Sequence, residues 1–497
     1  MKRPATSLFG VVLILLIAAC QSSLEQKVEA ALSNPEQTGI RWGLVVADMD
    51  GTELIAMRAD DRFTPASNTK IVTTMASYHA LDQLSSPEHN PGTRVYVQPN
   101  TPDEPPTVIL KGGGDAMLED AADCEAHCLG ALADAVAASG LTHIATVIGD
   151  DTFFPFERWG PGWSLEDLQY YYGTAVSALS VNNNLIWVEL QAGEAEGDPA
   201  MAAWMEGNAY YALETEVTTS AEDSDRAVRV ERYPGAETVR IYGTLPAGSA
   251  PLRYGLAIDN PAEYAALRFK RLLEARGVTV DAVASKHRPL NLSDEVPDPE
   301  DDQAAFVSLP TSDLLGTLLA TLPASSLEAS LERISKDSDN LHAEIALRRL
   351  GRLDGTGSRD YGVAAMQALL EGAGVPEHGY AFHGGSGMSI YNRISPRAMV
   401  KLLIFAARQP WFEAWLADQP IGGVDGSLER RFKGTSLEGK IFAKTGTLNG
   451  ANALSGVMQT ASGRRLLFSM IANDRPAATR SAVPEMDAAL VLIAEAY

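Results

Sequence analysis

Apolar and polar positions alternate along GLVVADMDGTELIAMRAD, residues 43–60, on either side of Asp50-Gly51. That pattern predicts two strands joined by a tight hairpin. The DMDG at its centre resembles the start of a calcium loop, but the acidic residue that should close such a loop is missing, so the hairpin reading stands. Thr64-Pro65-Ala66 stops the second strand. In NTKIVTTMASYHALDQL, which follows, Ile71, Met75, Tyr78 and Leu81 recur at helical spacing and put Ser67 at the first turn of a helix.

Two stretches rich in Pro, Asp and Ser, SSPEHNPG at 85–92 and RPLNLSDEVPDPEDD at 288–302, read as linkers. Between them lie strand-like runs, THIATVIGD, NNLIWVEL and ETVRIYGTL, and one clear helix, NPAEYAALRFKRLLEARG, ending at Gly277. Helical patterns dominate again from about residue 304, until KIFAKTGTL and RRLLFSMIAND read as adjacent strands. With no internal repeat, the pattern predicts an α/β (α+β) chain in which residues 24–90 and 303–497 form one unit and 91–302 are inserted into it.

The chain has 497 residues, of which 45% are hydrophobic, ample for a large core. Its formal charge of −24, with no Lys/Arg-rich block, repels phosphate backbones and argues against nucleic acid as a partner. Lys2 and Arg3 precede an apolar run from Leu8 to Ala19 that is too short to span a bilayer and suits a cleaved export signal over residues 1–19. Its end, IAAC, resembles a bacterial lipobox, which implies cleavage before Cys20 and a lipid anchor on that thiol. Gln21 after the cysteine favours the outer membrane, facing the periplasm. The competing reading is an ordinary secretory leader with an incidental cysteine. Of the other thiols, Cys124 and Cys128 in DCEAHC read as a local disulfide rather than a zinc site, since only His127 stands near as a further ligand.

Serine attacks a carbonyl only when a base removes its proton. On a helix, Ser67 and Lys70 share a face, with Cβ atoms roughly 5–6 Å apart, so the amine reaches the hydroxyl. To accept a proton Lys70 must be neutral, and burial together with a second cation would lower its pKa. Downstream stand Ser338-Asp339-Asn340, heading the helical LHAEIALRRL, and Lys444-Thr445-Gly446-Thr447 on a strand. Ser-x-x-Lys, Ser-Asp-Asn and Lys-Thr-Gly occur together in penicillin-binding proteins and class A β-lactamases. A looser Ser180-Val181-Asn182 is set aside, because it lies in the insertion and heads no helix. Taken singly, each motif has an ordinary explanation as an N-cap, a turn or a solvated lysine.

The constellation divides the labour of acyl transfer. Ser67 becomes acylated while neutral Lys70 takes its proton, Ser338 relays that proton to the leaving amine, and Asn340 holds Lys70 and the substrate backbone. Lys444, with the hydroxyls of Thr445 and Thr447, suits a terminal carboxylate. Gly446 leaves the strand edge clear for a peptide, and the N–H groups of Ser67 and Thr447 form an oxyanion hole.

Beyond these motifs, LKGGGDAML, VIGDDTFF, HGGSGMSIYNRISP and KIFAKTGTLNGANALSGVM resemble the penicillin-binding protein 4 family, the class C low-molecular-mass D-alanyl-D-alanine carboxypeptidase/endopeptidases. The resemblance implies a transpeptidase-like domain, with a five-stranded antiparallel sheet between helices, interrupted by two smaller β-rich domains. It implies a serine peptidase without metal or cofactor, acting on peptidoglycan peptides and acylated by β-lactams. Two positions depart from the family pattern: Gly384 stands where an acidic residue is usual, and Ala116 where proline is common. Two other functions share the motifs: a β-lactamase or esterase, which differs in how fast water clears the acyl-enzyme, and a wall-binding lipoprotein with vestigial catalysis.

Overall fold

The computed structural model describes residues 24–33, 38–205, 209–291, 316–476 and 480–497. The leader, Cys20 and the expected boundary at 302/303 lie outside the described residues.

Five strands build the central antiparallel sheet: β1 (Arg41–Asp48), β2 (Glu53–Met57), β3 (Ile441–Leu448), β4 (Ala451–Gln459) and β5 (Arg465–Asn473). Their spatial order is β3-β4-β5-β1-β2, so the two ends of the chain meet where β5 pairs with β1. The predicted hairpin is present as β1–β2. The Asp50 carboxylate accepts from the Thr52 N–H at 2.9 Å, and Gly51 takes the left-handed φ of 100° that the turn requires. The second strand stops at Met57, well before Pro65.

Both faces of the sheet are covered. On one face, Val45, Ala47, Val457 and Ile471 join a core with Ile71 and Met75 of α1 (Thr69–His79) and with Ala343 and Leu347 of α2 (Asn340–Leu350). On the other, Leu44, Val46, Leu454 and Phe468 meet Val28 and Leu32 of a helix at 24–32 and Met486, Leu490 and Ile493 of a helix at Val483–Ala496. Each fully buried side chain of this size contributes roughly 1.5–3 kcal/mol. The predicted neighbours KIFAKTGTL and RRLLFSMIAND are strands of this sheet, but β4 lies between them. Eight of its nine residues are buried, so it shows none of the alternation that marks a half-exposed strand.

Residues beyond 90 form further sheets. One has five strands in the order Thr279–Arg288, His143–Pro155, Thr107–Lys111, Thr93–Gln98 and Thr317–Leu322, covered by the helices Leu129–Ala138 and Pro261–Glu274. Two three-stranded sheets, Ala212–Ser220 with Thr238–Pro246 and Ala227–Glu231, and Leu252–Ala257 with Leu185–Gln191 and Met201–Trp204, share a second core. Asn260 caps the predicted helix by accepting from the Glu263 N–H. Cys124 and Cys128 are joined, with Cα atoms 5.7 Å apart. Among the described residues no helix is long and apolar enough to cross a membrane.

Candidate active site

Ser67 does not sit in the α-helix itself. It is the middle residue of a 3-10 turn, Ala66–Asn68, that runs into α1, and Ala66 before it takes a left-handed φ of 48°. This backbone costs a non-glycine residue roughly 1 kcal/mol or more and lifts the serine onto the crest of the turn, where it remains partly exposed. Lys70, one turn on, is fully buried and bends back toward it. Its Nζ donates to Ser67 Oγ at 3.0 Å, to Asn340 Oδ1 at 2.6 Å and to the Ser386 carbonyl at 2.5 Å. These three bonds saturate an ammonium, so a neutral Lys70 has its free lone pair available only in this same shell, facing the serine. Burial lowers the Lys70 pKa to about 7, against the opposing charges of Asp339 and Glu344. The expected second cation is not the cause: it is Lys444 that burial, and then the charge of Lys70, hold well below the ordinary ammonium range.

Asp339 explains why the middle motif lies where it does. Its Oδ1 caps α2 by accepting from the His342 N–H at 3.1 Å, and its Oδ2 accepts from Arg333 and, at 2.7 Å, from Asn183. Ser338 takes a φ of 61° to make the entry. The Asn340 amide is held from both ends: Oδ1 faces Lys70, while Nδ2 donates at 2.7 Å to the backbone carbonyl of Tyr172, from the inserted region. Ser180-Val181-Asn182 has a structural place instead. Ser180 is buried, and Asn182–Asn184 forms a left-handed turn that presents Asn183 to Asp339.

β3 is an edge strand. Its first half is capped by the loop at 420–422, through Gly422 N–H to the Ile441 carbonyl and Ala443 N–H to the Pro420 carbonyl. By the alternation of strand hydrogen bonding, Thr445 and Thr447 turn their N–H and C=O groups to the same side, beyond that cap. Gly446 has a different role from the one expected. A Cβ there would lie 2.5 Å from the Pro65 carbonyl oxygen and 3.1 Å from the Asn68 nitrogen, so glycine lets the strand close on the nucleophile turn. Asn68 Nδ2 fastens that contact by donating to the Lys444 carbonyl at 2.8 Å. Lys444, expected to suit a terminal carboxylate, is only 1% exposed. It lies beneath the strand, its Nζ on the Thr445 carbonyl at 3.3 Å.

A cavity of about 430 Å³ opens over these groups, lined by Ser67, Ser338, Asn340, Thr445 and Thr447, with Tyr171, Tyr172 and Asp167 from the inserted region and Met388 and Arg475 on its rim. Lys70 lies buried behind the lining, bonded to Ser67 and Asn340. The sequence matches the D-Ala-D-Ala carboxypeptidase 3 (S13) family over 24–297 and 302–497. The chain belongs to this family. It is 31% identical over 490 residues to the D-alanyl-D-alanine carboxypeptidase of Actinomadura sp. strain R39, covering 95% of this chain and 85% of that protein. It is 23% identical over 461 residues to a D-alanyl-D-alanine carboxypeptidase of Haemophilus influenzae, covering 91% and 88%. The crystal structure of penicillin binding protein 4 from Haemophilus influenzae superposes with a TM-score of 0.74 at 20% identity, covering 95% of this chain and 98% of that one. That likeness fixes a transpeptidase/β-lactamase-like fold for this S13 member.

The structure thus brings Ser67, Ser338, Asn340, Thr445 and Thr447 to one cavity, with Lys70 buried behind it on Ser67 and Asn340, and with Gly446 and Lys444 on the strand that borders it. The disulfide is not among the lining groups. Sequence reading missed the carbonyls of Tyr172 and Ser386, and also Glu344. The last carried a signal, since Asn340 and Glu344 are four apart on one helix and face the same way. Gly384, one of the two departures, stands against it: a Cβ there would lie 3.0 Å from Glu344 Oε1.

Proposed function

We propose that this S13 peptidase cleaves the D-Ala-D-Ala ends, or the D-amino-acid cross-links, of peptidoglycan peptides through an ester on Ser67, and that β-lactams acylate the same hydroxyl. The observation that carries the reading is the Lys70 amine held between Ser67 Oγ and Asn340 Oδ1, two residues lining a cavity bordered by an open strand edge.

A peptide laid along β3 pairs with the outward groups of Thr445 and Thr447, and its terminal carboxylate meets the hydroxyls of these two residues above Lys444. Ser67 Oγ forms the new C–O bond as its proton passes to neutral Lys70. The oxygen of the tetrahedral intermediate is met by the N–H groups of Ser67 and Thr447, and loss of one such donor typically costs roughly 10²–10³ in rate. When the C–N bond breaks, Ser338 relays the proton from Lys70 to the departing amine. Water then cleaves the ester and restores the serine. No step calls for a metal or cofactor.

We also read residues 24–90 with 303–497 as the unit that carries the chemistry and 91–302 as its insertion, to which the strand Thr317–Leu322 adds by pairing with Thr93–Gln98. Cleavage before Cys20 and a lipid on its thiol would tether the enzyme on the periplasmic side of an outer membrane. The test is labelled penicillin: wild-type protein takes the label covalently and Ser67→Ala does not. Label retained by Ser67→Ala would overturn the assignment. Muropeptide masses then tell the two cuts apart, monomers shortened by one alanine marking the carboxypeptidase and split dimers the endopeptidase. Sustained turnover of the penicillin, rather than a lasting adduct, would instead mark a β-lactamase.

A further inference from the structure

We propose that Glu344 is a positioning residue for proton transfer between Ser67 and Lys70, an inference that rests on the acyl-transfer reading above. Glu344 is 1% exposed, and its side chain enters the floor of the site from α2, one turn beyond Asn340. Its Oε1 accepts three hydrogen bonds from one short segment: the Gly385 N–H at 3.1 Å, the Ser386 N–H at 2.9 Å and Ser386 Oγ at 2.6 Å. The carbonyl of that same Ser386 is the 2.5 Å acceptor for Lys70 Nζ. A single carboxylate oxygen therefore fixes the turn that supplies one of the three ligands of the lysine, while the helix bearing it supplies another through Asn340. Only Ser67 Oγ, the reacting group, lies outside this frame.

The carboxylate is held in its turn. Oε2 accepts from Arg348 Nη1 at 3.1 Å, and Arg348, also 1% exposed, reaches the inserted region through the Glu157 carboxylate at 4.0 Å and carbonyl at 3.4 Å. Glu157 is secured by the Arg359 N–H at 2.8 Å. The buried charges thus form an alternating run, so the cost of burying Glu344 is offset by Arg348, itself flanked by two carboxylates. Gly384 leaves the carboxylate its room, since any side chain there would push on Oε1. The charged groups acting on Lys70 are Asp339, the cap of α2, and Glu344 within it, both favouring its protonated form, with Lys444 of β3 beside it.

The experiment measures the acylation rate with a labelled penicillin against pH for wild type, Glu344→Gln and Ser386→Ala, with circular dichroism and melting curves to establish folding. Glu344→Gln should lower the plateau rate by roughly 10–100-fold through a displaced lysine. It should also move the acid limb of the profile to lower pH, because a negative charge that favours protonated Lys70 has gone. A residue that merely supported the fold would leave that limb in place. Ser386→Ala removes one bond and no charge, so it should give a smaller loss with the limb unmoved. A folded Glu344→Gln with wild-type rate and limb would overturn the proposal, as would an unchanged rate in Ser386→Ala where Glu344→Gln does not fold. Wild-type protein that takes no label would instead overturn the acyl-transfer reading, and this inference with it.

Discussion

Replacing Gly446 with alanine tests why a residue without a side chain stands between the two threonines of β3. The added Cβ would sit 2.5 Å from the Pro65 carbonyl oxygen, 3.1 Å from the Asn68 nitrogen and 3.2 Å from the Ala453 Cβ. Two of these neighbours are backbone and cannot swing aside, so strand and turn must part by about 0.9 Å to restore ordinary van der Waals contact at 3.4 Å. That separation takes the 2.8 Å bond from Asn68 Nδ2 to the Lys444 carbonyl out of hydrogen-bond reach. It also moves the Thr447 N–H away from the carbonyl that Ser67 attacks. A misplacement near 1 Å costs about 10²-fold in rate, and overpacking of this kind about 1–3 kcal/mol in stability. Gly446→Ala should therefore show both a slowed penicillin acylation, followed by mass shift with time, and a melting point lowered by ~2–4 °C per kcal/mol. Were the glycine there only to clear a path for substrate, the melting point would not move, since the edge of β3 faces outward. An alanine variant that acylates at the wild-type rate and melts at the wild-type temperature would refute the argument.

Five further outcomes follow from the geometry. Acylation should rise with pH through about 7, because below that value Lys70 is an ammonium with no lone pair to offer, and a pH–rate profile flat across neutrality would contradict this. Lys70's own contribution to stability should rise with pH between about 7 and 10.5, where the unfolded chain keeps a proton that the folded chain has shed; comparing the pH dependence of melting for wild type and Lys70→Met isolates it. Lys70→Arg, which stays charged, should fold normally yet take no penicillin, and Asn340→Ala should acylate ~10–100-fold more slowly for want of a charge-assisted bond of about 1.5–3 kcal/mol, both read by labelling kinetics. Removing the disulfide with Cys124→Ser and Cys128→Ser together should cost roughly 2 kcal/mol in a denaturant titration, with acylation unchanged.

What the sequence made legible had a period or a punctuation mark. The β1–β2 hairpin turned on Asp50-Gly51, α1 on the spacing of Ile71 and Met75, and the helix Pro261–Glu274 on its Asn260 cap and on Gly277. The hydroxyl, amine and amide that meet at the cavity could be read because they stand in motifs with fixed spacing. β4 escaped because burial on both faces erases alternation. The strand Thr317–Leu322 escaped because Val97, the partner of Thr317, lies 220 positions earlier, a distance no local pattern encodes. The burial of Lys444 was not legible for a related reason: strand periodicity tells on which side a residue lies, and only the tertiary structure tells what covers that side.

The bond from Asn340 Nδ2 to residue 172 ends on a main-chain oxygen, which every amino acid possesses. Swapping the tyrosine for another residue leaves that acceptor in being, so the catalytic amide is indifferent to spelling at 172 and sensitive to the path of the peptide chain. Insertions or deletions in the segment around 167–175 should therefore harm turnover more than substitutions do. A search for functional letters alone would pass over this support, because what holds the asparagine is the course of a loop.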